Sequence, residues 1–323
     1  MAKKKPANVV NRLVVIGLGL IGSSLAASAR KKGLAKEVIG ISRRQSTLEI
    51  ALNNGIVDRC ADNLEQIAGE LSEGDIVVIG VPTLSVPKVL QECVSLLSPG
   101  VTITDVASVK ESVVNSAQEL FGSVPPQLVP GHPIAGSEKS GVTAANPDLF
   151  VDHRVILTPI ETTLDSHIER TTKLWQSVGA LVSSMSVKEH DQILAATSHL
   201  PHFLAYALVN TLAGMSEKTD IFRYAAGGFR DFTRIAASDP IMWRDIAIAN
   251  KDAVIQVMDK MMNNLSLMRA SIEDEDQQYL TNLFTRSRDV RNHYGSMLES
   301  NKLDTGLQSP MNEKVINYIV SPG

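Results

Sequence analysis

The stretch Leu13-Val14-Val15-Ile16-Gly17-Leu18-Gly19-Leu20-Ile21-Gly22 decides the fold. Four successive apolar residues with no polar alternation suit a strand covered on both faces, as in a parallel sheet. The glycines after it fit G-x-G-x-x-G, and each has a physical task. Gly17 permits the tight turn out of the strand, Gly19 lets a pyrophosphate approach the backbone, and Gly22 lets the next helix pack closely on the strand. Leu18, Leu20 and Ile21 complete a loop whose helix N-terminus faces the phosphate charge. A glycine-rich turn with no ligand is the alternative. A strand before the motif and a helix after it favour a dinucleotide site.

Outward from this loop, further Val- and Ile-rich strands are predicted at 38–41, 75–81, 101–105, 127–130 and 154–158, the first strand running over 12–17. Amphipathic helices are predicted between them at 20–32, 47–54, 86–97 and 108–121, with Gly33 and Gly100 where the chain must break. Such alternation makes residues 1–185 a doubly wound, Rossmann-type α/β domain that binds a dinucleotide. After Met185 valine-rich runs give way to helical periodicity over 188–212, 240–268 and 274–294. Residues 186–323 are therefore expected to be all-helical, with a weakly ordered tail after about 303. Helices this long suit a shared apolar face between two subunits, hence a homodimer.

A chain of 323 residues can hold two cores, and a net charge of −4 gives no general attraction to nucleic acid or an anionic membrane. An anionic substrate must then be held by a few placed cations. Lys3, Lys4 and Lys5 before the apolar stretch 13–29 imitate a secretory signal, but the three spaced glycines have their own purpose and no disulfide framework follows. No other segment approaches the ~20 apolar residues needed to span a bilayer. A cytoplasmic protein is expected, with no nucleic-acid or membrane partner. Cys60 and Cys93 are expected as buried thiols.

At the end of the second strand, NAD-binding chains usually place an acidic residue that accepts from the ribose 2′-hydroxyl. This chain has Ser42-Arg43-Arg44 there, which suits a 2′-phosphate and so favours NADP over NAD. The alternative is a solvated arginine loop. Val81 and Thr83, at the exit of the 75–81 strand, join the cofactor-binding set.

Candidate catalytic residues follow two strands, where open α/β sheets place ligands. Asp105-Val106-Ala107-Ser108-Val109-Lys110 leaves one strand, and Gly131-His132-Pro133 leaves the next in what reads as a strand-end turn. His132, flanked by glycine and proline, has little apolar face to fill and is read as catalytic, with Ser108 beside it. Thr197-Ser198-His199-Leu200-Pro201-His202 interrupts a helix, because Pro201 lacks an N–H and crowds the Thr197 carbonyl. His199 and His202 share a face, but no third ligand has suitable spacing, so no metal is expected. Two satisfied core histidines are the alternative. Downstream, the arginines and aspartates between Gly227 and Asp245 offer a carboxylate clamp or, alternatively, exposed ion pairs.

Taken in order, the dinucleotide loop, DVASVK at 105–110, GHPIAGSEKSG at 131–141, TSHLPH at 197–202 and GFRDFTRIAASDPIMWRD at 228–245 resemble the prephenate/arogenate (cyclohexadienyl) dehydrogenases of tyrosine biosynthesis. The resemblance runs from about residue 12 to about residue 294. It implies a nucleotide domain, a helical dimerising domain and NAD(P)-dependent oxidative decarboxylation of prephenate to 4-hydroxyphenylpyruvate, or of arogenate to tyrosine. It implies that His132 bonds the substrate ring hydroxyl with Ser108 adjacent, and that Arg234 binds a substrate carboxylate. It also implies that His202 lines the pocket with Ser198 and His199, that Glu138 and Asp231 gate it, and that Trp243 approaches from the partner subunit. The missing acid at the second strand departs from many NAD-using relatives. Two rival readings stand beside this one. A β-hydroxyacid dehydrogenase needs a catalytic lysine on the first helix after the sheet, where Lys188 is the only candidate. A nucleotide-sensing regulator would have kept the fold without the chemistry.

Overall fold

The computed structural model describes residues 9–137, 139–215 and 221–299. Lys3, Lys4, Lys5, Glu138 and the tail after 303 lie outside the described residues.

β1 (Val10–Ile16) pairs in parallel with β2 (Ala35–Ile41) on one side and β4 (Ile76–Ile79) on the other. With β3 (Arg59–Ala61), β5 (Thr102–Asp105) and β6 (Leu128–Val129), they form a six-stranded parallel sheet ordered β3-β2-β1-β4-β5-β6. The chain runs outward from β1 to β3, then returns to the other side of β1. That reversal opens a crevice at the carboxyl ends of β1 and β4. Leu13 and Val15 pack into one core with Leu25 and Ala29, whereas Val14 and Ile16 pack into another with Ile79 and Leu90. The unbroken apolar run of β1 thus reflects burial on both faces.

α1 (Leu20–Lys32) ends at Gly33, whose φ of +64° lets its N–H cap the Ala29 and Arg30 carbonyls. α2 (Gln45–Asn53), α3 (Glu65–Ala68), α4 (Val86–Leu96) and α5 (Glu111–Phe121) complete the crossovers. A second sheet joins β7 (Gly131–Pro133), β8 (Arg154–Leu157) and β9 (Leu181–Ser184), with α6 (Asp165–Val178) between the last two. His132 therefore lies inside a short strand antiparallel to β8, not in a strand-end turn as the sequence suggests. Cys93 is buried, and burial pushes its thiol up to about 12. Cys60, expected buried, is only partly covered, because it lies on the edge strand β3.

Beyond β9 the described residues form no further strand. α7 (Val187–Leu194) widens into a π-type turn at Ala195–His199 before α8 (Leu200–Met215), so the opening expected around Pro201 sits just ahead of it. α9 (Gly227–Thr233) and α10 (Pro240–Ala249) follow. The single helix expected over 240–268 is divided at Asn250, and α11 (Lys251–Glu273) starts anew before α12 (Gln277–Glu299). By contact density the chain divides into two units, at Ile255 and Gln256. In the second unit Met258, Met262, Leu265, Leu267 and Phe284 are exposed. Among the described residues no helix is long and apolar enough to cross a membrane.

The three loop glycines differ in what a side chain would meet. A Cβ at Gly22 would overlap the Gly17 carbonyl oxygen and stand 3.0 Å from Val15, whereas one at Gly19 meets no protein atom within 4 Å. Gly22→Ala is expected to cost about 1–3 kcal/mol by overpacking. Gly19→Ala is expected to change stability by less than about 1 kcal/mol, yet to weaken dinucleotide binding, because its Cβ takes the space of the phosphate. Thermal melts and nucleotide titrations of the two variants check this; equal loss of Tm in both would refute it.

Candidate functional site

The crevice is built by close backbone approach. Gly17, with φ +101°, lies where a Cβ would stand 2.5 Å from the Gly80 carbonyl oxygen just beyond β4. Gly17 N–H donates to Ile41 and Gly80 N–H to Ile16, so the exits of β1, β2 and β4 are tied together. α1 starts at Leu20 with no side-chain cap at Gly19 and no acid in its first turn. Its positive end is thus uncountered, and the open space at Gly19 fits a pyrophosphate. Leu20 and Ile21 are half-buried in that first turn, while the Leu18 side chain is buried against Gly40, leaving only its backbone to face a ligand. Ser42 is half-buried at the end of β2, and its Oγ accepts from the Arg44 N–H at 3.2 Å, which keeps the hydroxyl hydrogen free to donate. The side chains of Arg43 and Arg44 are exposed. Val81 is half-buried and Thr83 buried, the latter in a 3₁₀ turn against α10.

His132 is 9% exposed and stands at the end of a buried polar chain. Its Nδ1 lies 2.9 Å from Nε2 of His190, and Nδ1 of His190 lies 2.6 Å from Oδ1 of Asp191. Asp191 also accepts from the backbone N–H of Lys110 (2.9 Å) and of Glu111 (2.8 Å), which opens α5. The α5 N-terminus has no local side-chain cap, so a carboxylate eighty residues further along the chain supplies one. Lys110 Nζ, fully buried, donates to Asp105 and, at 2.7 Å, to the Gly131 carbonyl beside His132. Asp105 accepts in turn from the N–H of Ala107 (2.9 Å) and Gly131 (3.3 Å). Burial, then unfavourable electrostatic interaction of a protonated ring with its neighbours His190, Lys110 and His199, holds His132 well below the usual imidazole range. It is a neutral base at pH 7.

A second cluster joins the same region. Asn250 donates through Nδ2 to the Asp191 carbonyl (2.9 Å) and to Nδ1 of His199 (3.2 Å). Burial pushes His199 down to about 4 against the pull of Asp191. His202 donates from Nδ1 to the Ser198 carbonyl at 2.9 Å, and its ring stacks on Trp243 with centroids 3.7 Å apart. Trp243, expected to approach from a partner subunit, is instead 6% exposed within its own chain, because Val109, Phe203, Tyr206 and Ile246 enclose it. Through Val109, the half-buried Ser108 loop is drawn to this cluster. Arg234 is exposed, and its charge helps lower His202, after burial. Asp231 is exposed and pairs with Arg230 at 3.2 Å. The sequence reading missed His190, Asp191, Asn250, Lys110 and Asp105. Only the His190–Leu194 spacing, one helix face apart, marks the first of these as inward-facing.

A dinucleotide loop at the switch point of a parallel sheet, with a neutral buried imidazole at a strand beyond it, defines a nicotinamide-dependent oxidoreductase. Residues 25–184 match the nucleotide-binding domain of prephenate dehydrogenase, and residues 186–286 match the prephenate dehydrogenase dimerization domain. The cyclohexadienyl dehydrogenase of Zymomonas mobilis is 37% identical over 88% of this chain and 96% of its own. The prephenate dehydrogenase of Bacillus subtilis is 37% identical over 86% of this chain and 75% of its own. The crystal structure of A. aeolicus prephenate dehydrogenase, in complex with hydroxyphenyl propionate and NAD+, aligns with a TM-score of 0.81 at 33% identity, over 88% of this chain and 98% of that one. That of Synechocystis arogenate dehydrogenase aligns with a TM-score of 0.73 at 30% identity, over 88% and 99%. The chain belongs to the prephenate dehydrogenase family.

The buried histidines carry a pH signature. His199 titrates near 4 when folded and near 6.5 when unfolded, so the unfolded state binds the extra proton and stability falls as pH drops through this window. His199→Gln removes that linkage and is expected to lose about 2 kcal/mol less than the parent between pH 7 and pH 5. Denaturant melts at the two pH values measure the difference; parallel losses would remove His199 as the cause.

Proposed function

We propose that this chain catalyses the oxidative decarboxylation of prephenate to 4-hydroxyphenylpyruvate, or of its amino counterpart arogenate to tyrosine. The observation that carries the reading is His132: buried, neutral, and bonded at Nδ1, which leaves Nε2 for the ring hydroxyl. A nicotinamide cofactor supplies the hydride acceptor for the substrate C4 hydrogen. His132 takes the C4 hydroxyl proton as the C4–H bond breaks. Loss of the C1 carboxylate as CO₂ then makes the ring aromatic, and the proton returns to the phenolate oxygen. Electrons and protons balance, with no net proton released. Arg234 is assigned to a substrate carboxylate, and its electrostatic reach to His202 supports a pocket between them. Ser108, Ser198, His199 and Trp243 are assigned to the same pocket, and Glu138 and Asp231 to its entrance.

Residues 1–185 are proposed as the nucleotide domain and 186–323 as the substrate and dimerisation domain, in a homodimer of a cytoplasmic enzyme. The exposed apolar residues of α11 and α12 support such an interface. The proposed cofactor is NADP: no carboxylate stands at 42–44, and a serine hydroxyl and two guanidiniums do.

Absorbance at 340 nm with prephenate and either cofactor tests the reaction. His132→Asn is expected to lower kcat by about 10²–10⁴ with KM within about threefold, since the base acts in the transition state. Near-normal turnover would remove His132 from the chemistry.

For the cofactor, kcat/KM is expected to be about tenfold higher with NADP⁺ than with NAD⁺. Ser42→Asp adds both an acceptor for a free 2′-hydroxyl and a like charge beside a phosphate, so it is expected to reverse the preference. Equal efficiency with both cofactors, unchanged in Arg43→Ala and Arg44→Ala, would show that the arginines merely face solvent.

A further inference from the structure

We propose that Asp191 and His190 are positioning residues that hold His132 as its Nδ1–H tautomer, so that Nε2 is the proton acceptor. The inference rests on the reading of His132 as the base. Asp191 is engaged only by donors: the Lys110 and Glu111 N–H groups and His190 Nδ1. Both oxygens accept from N–H groups, which is the bonding of a carboxylate that only accepts. An ionised carboxylate 2.6 Å from His190 Nδ1 requires the hydrogen to be on that nitrogen. Neutral His190 then has a lone pair at Nε2, and the 2.9 Å contact with His132 Nδ1 is a bond only if His132 donates. The hydrogen bonds run one way, from His132 through His190 to Asp191.

The arrangement has two consequences. In the resting state it keeps a proton off His132 Nε2, the nitrogen left for the substrate. When His132 accepts the hydroxyl proton, its new charge shares a hydrogen-bonded path with the Asp191 carboxylate, which stabilises the imidazolium without touching substrate. The other charged groups around the pair do not disturb this. Lys110 is matched by Asp105, and His199 is neutral at pH 7. All of these groups are fixed before substrate arrives, because Lys110, Asp105, His190, Asp191 and His199 are all buried.

The expected ring state is readable directly. Long-range ¹H–¹⁵N spectra of histidine-labelled enzyme, with His132 assigned by difference from His132→Asn, should show a protonated Nδ1 and a bare Nε2. A bare Nδ1 with a protonated Nε2 would overturn the inference, whatever the activity. Kinetics supply the second arm. His190→Gln keeps a carbonyl oxygen that accepts from His132 Nδ1–H and is expected to lower kcat about tenfold; His190→Leu keeps none and is expected to lower it by about 10²–10³. In both, the KM for prephenate should stay within about threefold. Asp191→Asn should move the acid limb of kcat/KM to lower pH, because the imidazolium loses its counter-charge. A purely structural role for Asp191 would lower Tm and leave the acid limb in place. Equal kcat in His190→Leu and the parent, with His132→Asn inactive, would sink this inference and spare the functional reading. An active His132→Asn would sink the functional reading itself.

Discussion

The Asp191 carboxylate is the constraint on which the site depends. It replaces a missing local cap at the start of α5, anchors α7 against that helix, and fixes the ring of His190. Each buried N–H it satisfies would otherwise cost about 1–3 kcal/mol, and an ionised group of its own kind would be far more costly if left unpaired. Because one carboxylate meets all these needs, the sheet domain and the first helix after it are locked in a single register. The position of His132 is set by that register. Lys110 and Asp105 act similarly one layer over: their buried ion pair holds the Gly131 carbonyl and amide, and thereby the strand that carries His132. Fixed geometry of this kind is what a proton acceptor needs, since reorganisation during hydride loss would add to the barrier.

The nucleotide end is organised by space and not by charge. Gly17, Gly22 and Gly80 bring three backbone segments to near contact, leaving Gly19 as the open position. The α1 N-terminus supplies the polarity there, and the exposed arginines beyond β2 supply the only formal charge from residues 42–44. The two ends therefore respond differently to substitution, one through clearance and the other through proton position.

Much of this was legible in the sequence, for identifiable reasons. β1 and β4 are unbroken apolar runs because both faces are covered, and α1 was bounded correctly because Gly19 and Gly33 mark its ends. β7 and β9 were missed because each is short and lies in a small sheet, partly exposed along β9, where no long apolar run is required. The 240–268 helix was expected unbroken because Asn250 is not a strong breaker; the break comes from tertiary hydrogen bonds to Asp191 and His199. His132 stood out through its glycine and proline neighbours. His190 and Asp191 did not, because their partners are 58 to 81 residues distant and Val187–Leu194 reads as an ordinary amphipathic helix.

The same geometry weighs against the rival chemistries. A β-hydroxyacid dehydrogenase requires a lysine free to exchange a proton with substrate, yet Lys188 has its side chain exposed on α7. Lys110, buried near the site, donates from its ammonium to Asp105 and the Gly131 carbonyl, so it braces the strand that carries His132 and does not face the substrate as an exposed lysine would. A regulator that only senses nucleotide would need the glycine loop but not a desolvated imidazole. Burial alone penalises the charged form of His132, and a buried polar network is costly unless every member is matched. A chain of matched bonds from Asp191 to His132, ending on a nitrogen left for a hydroxyl, is what proton transfer requires and what nucleotide binding does not.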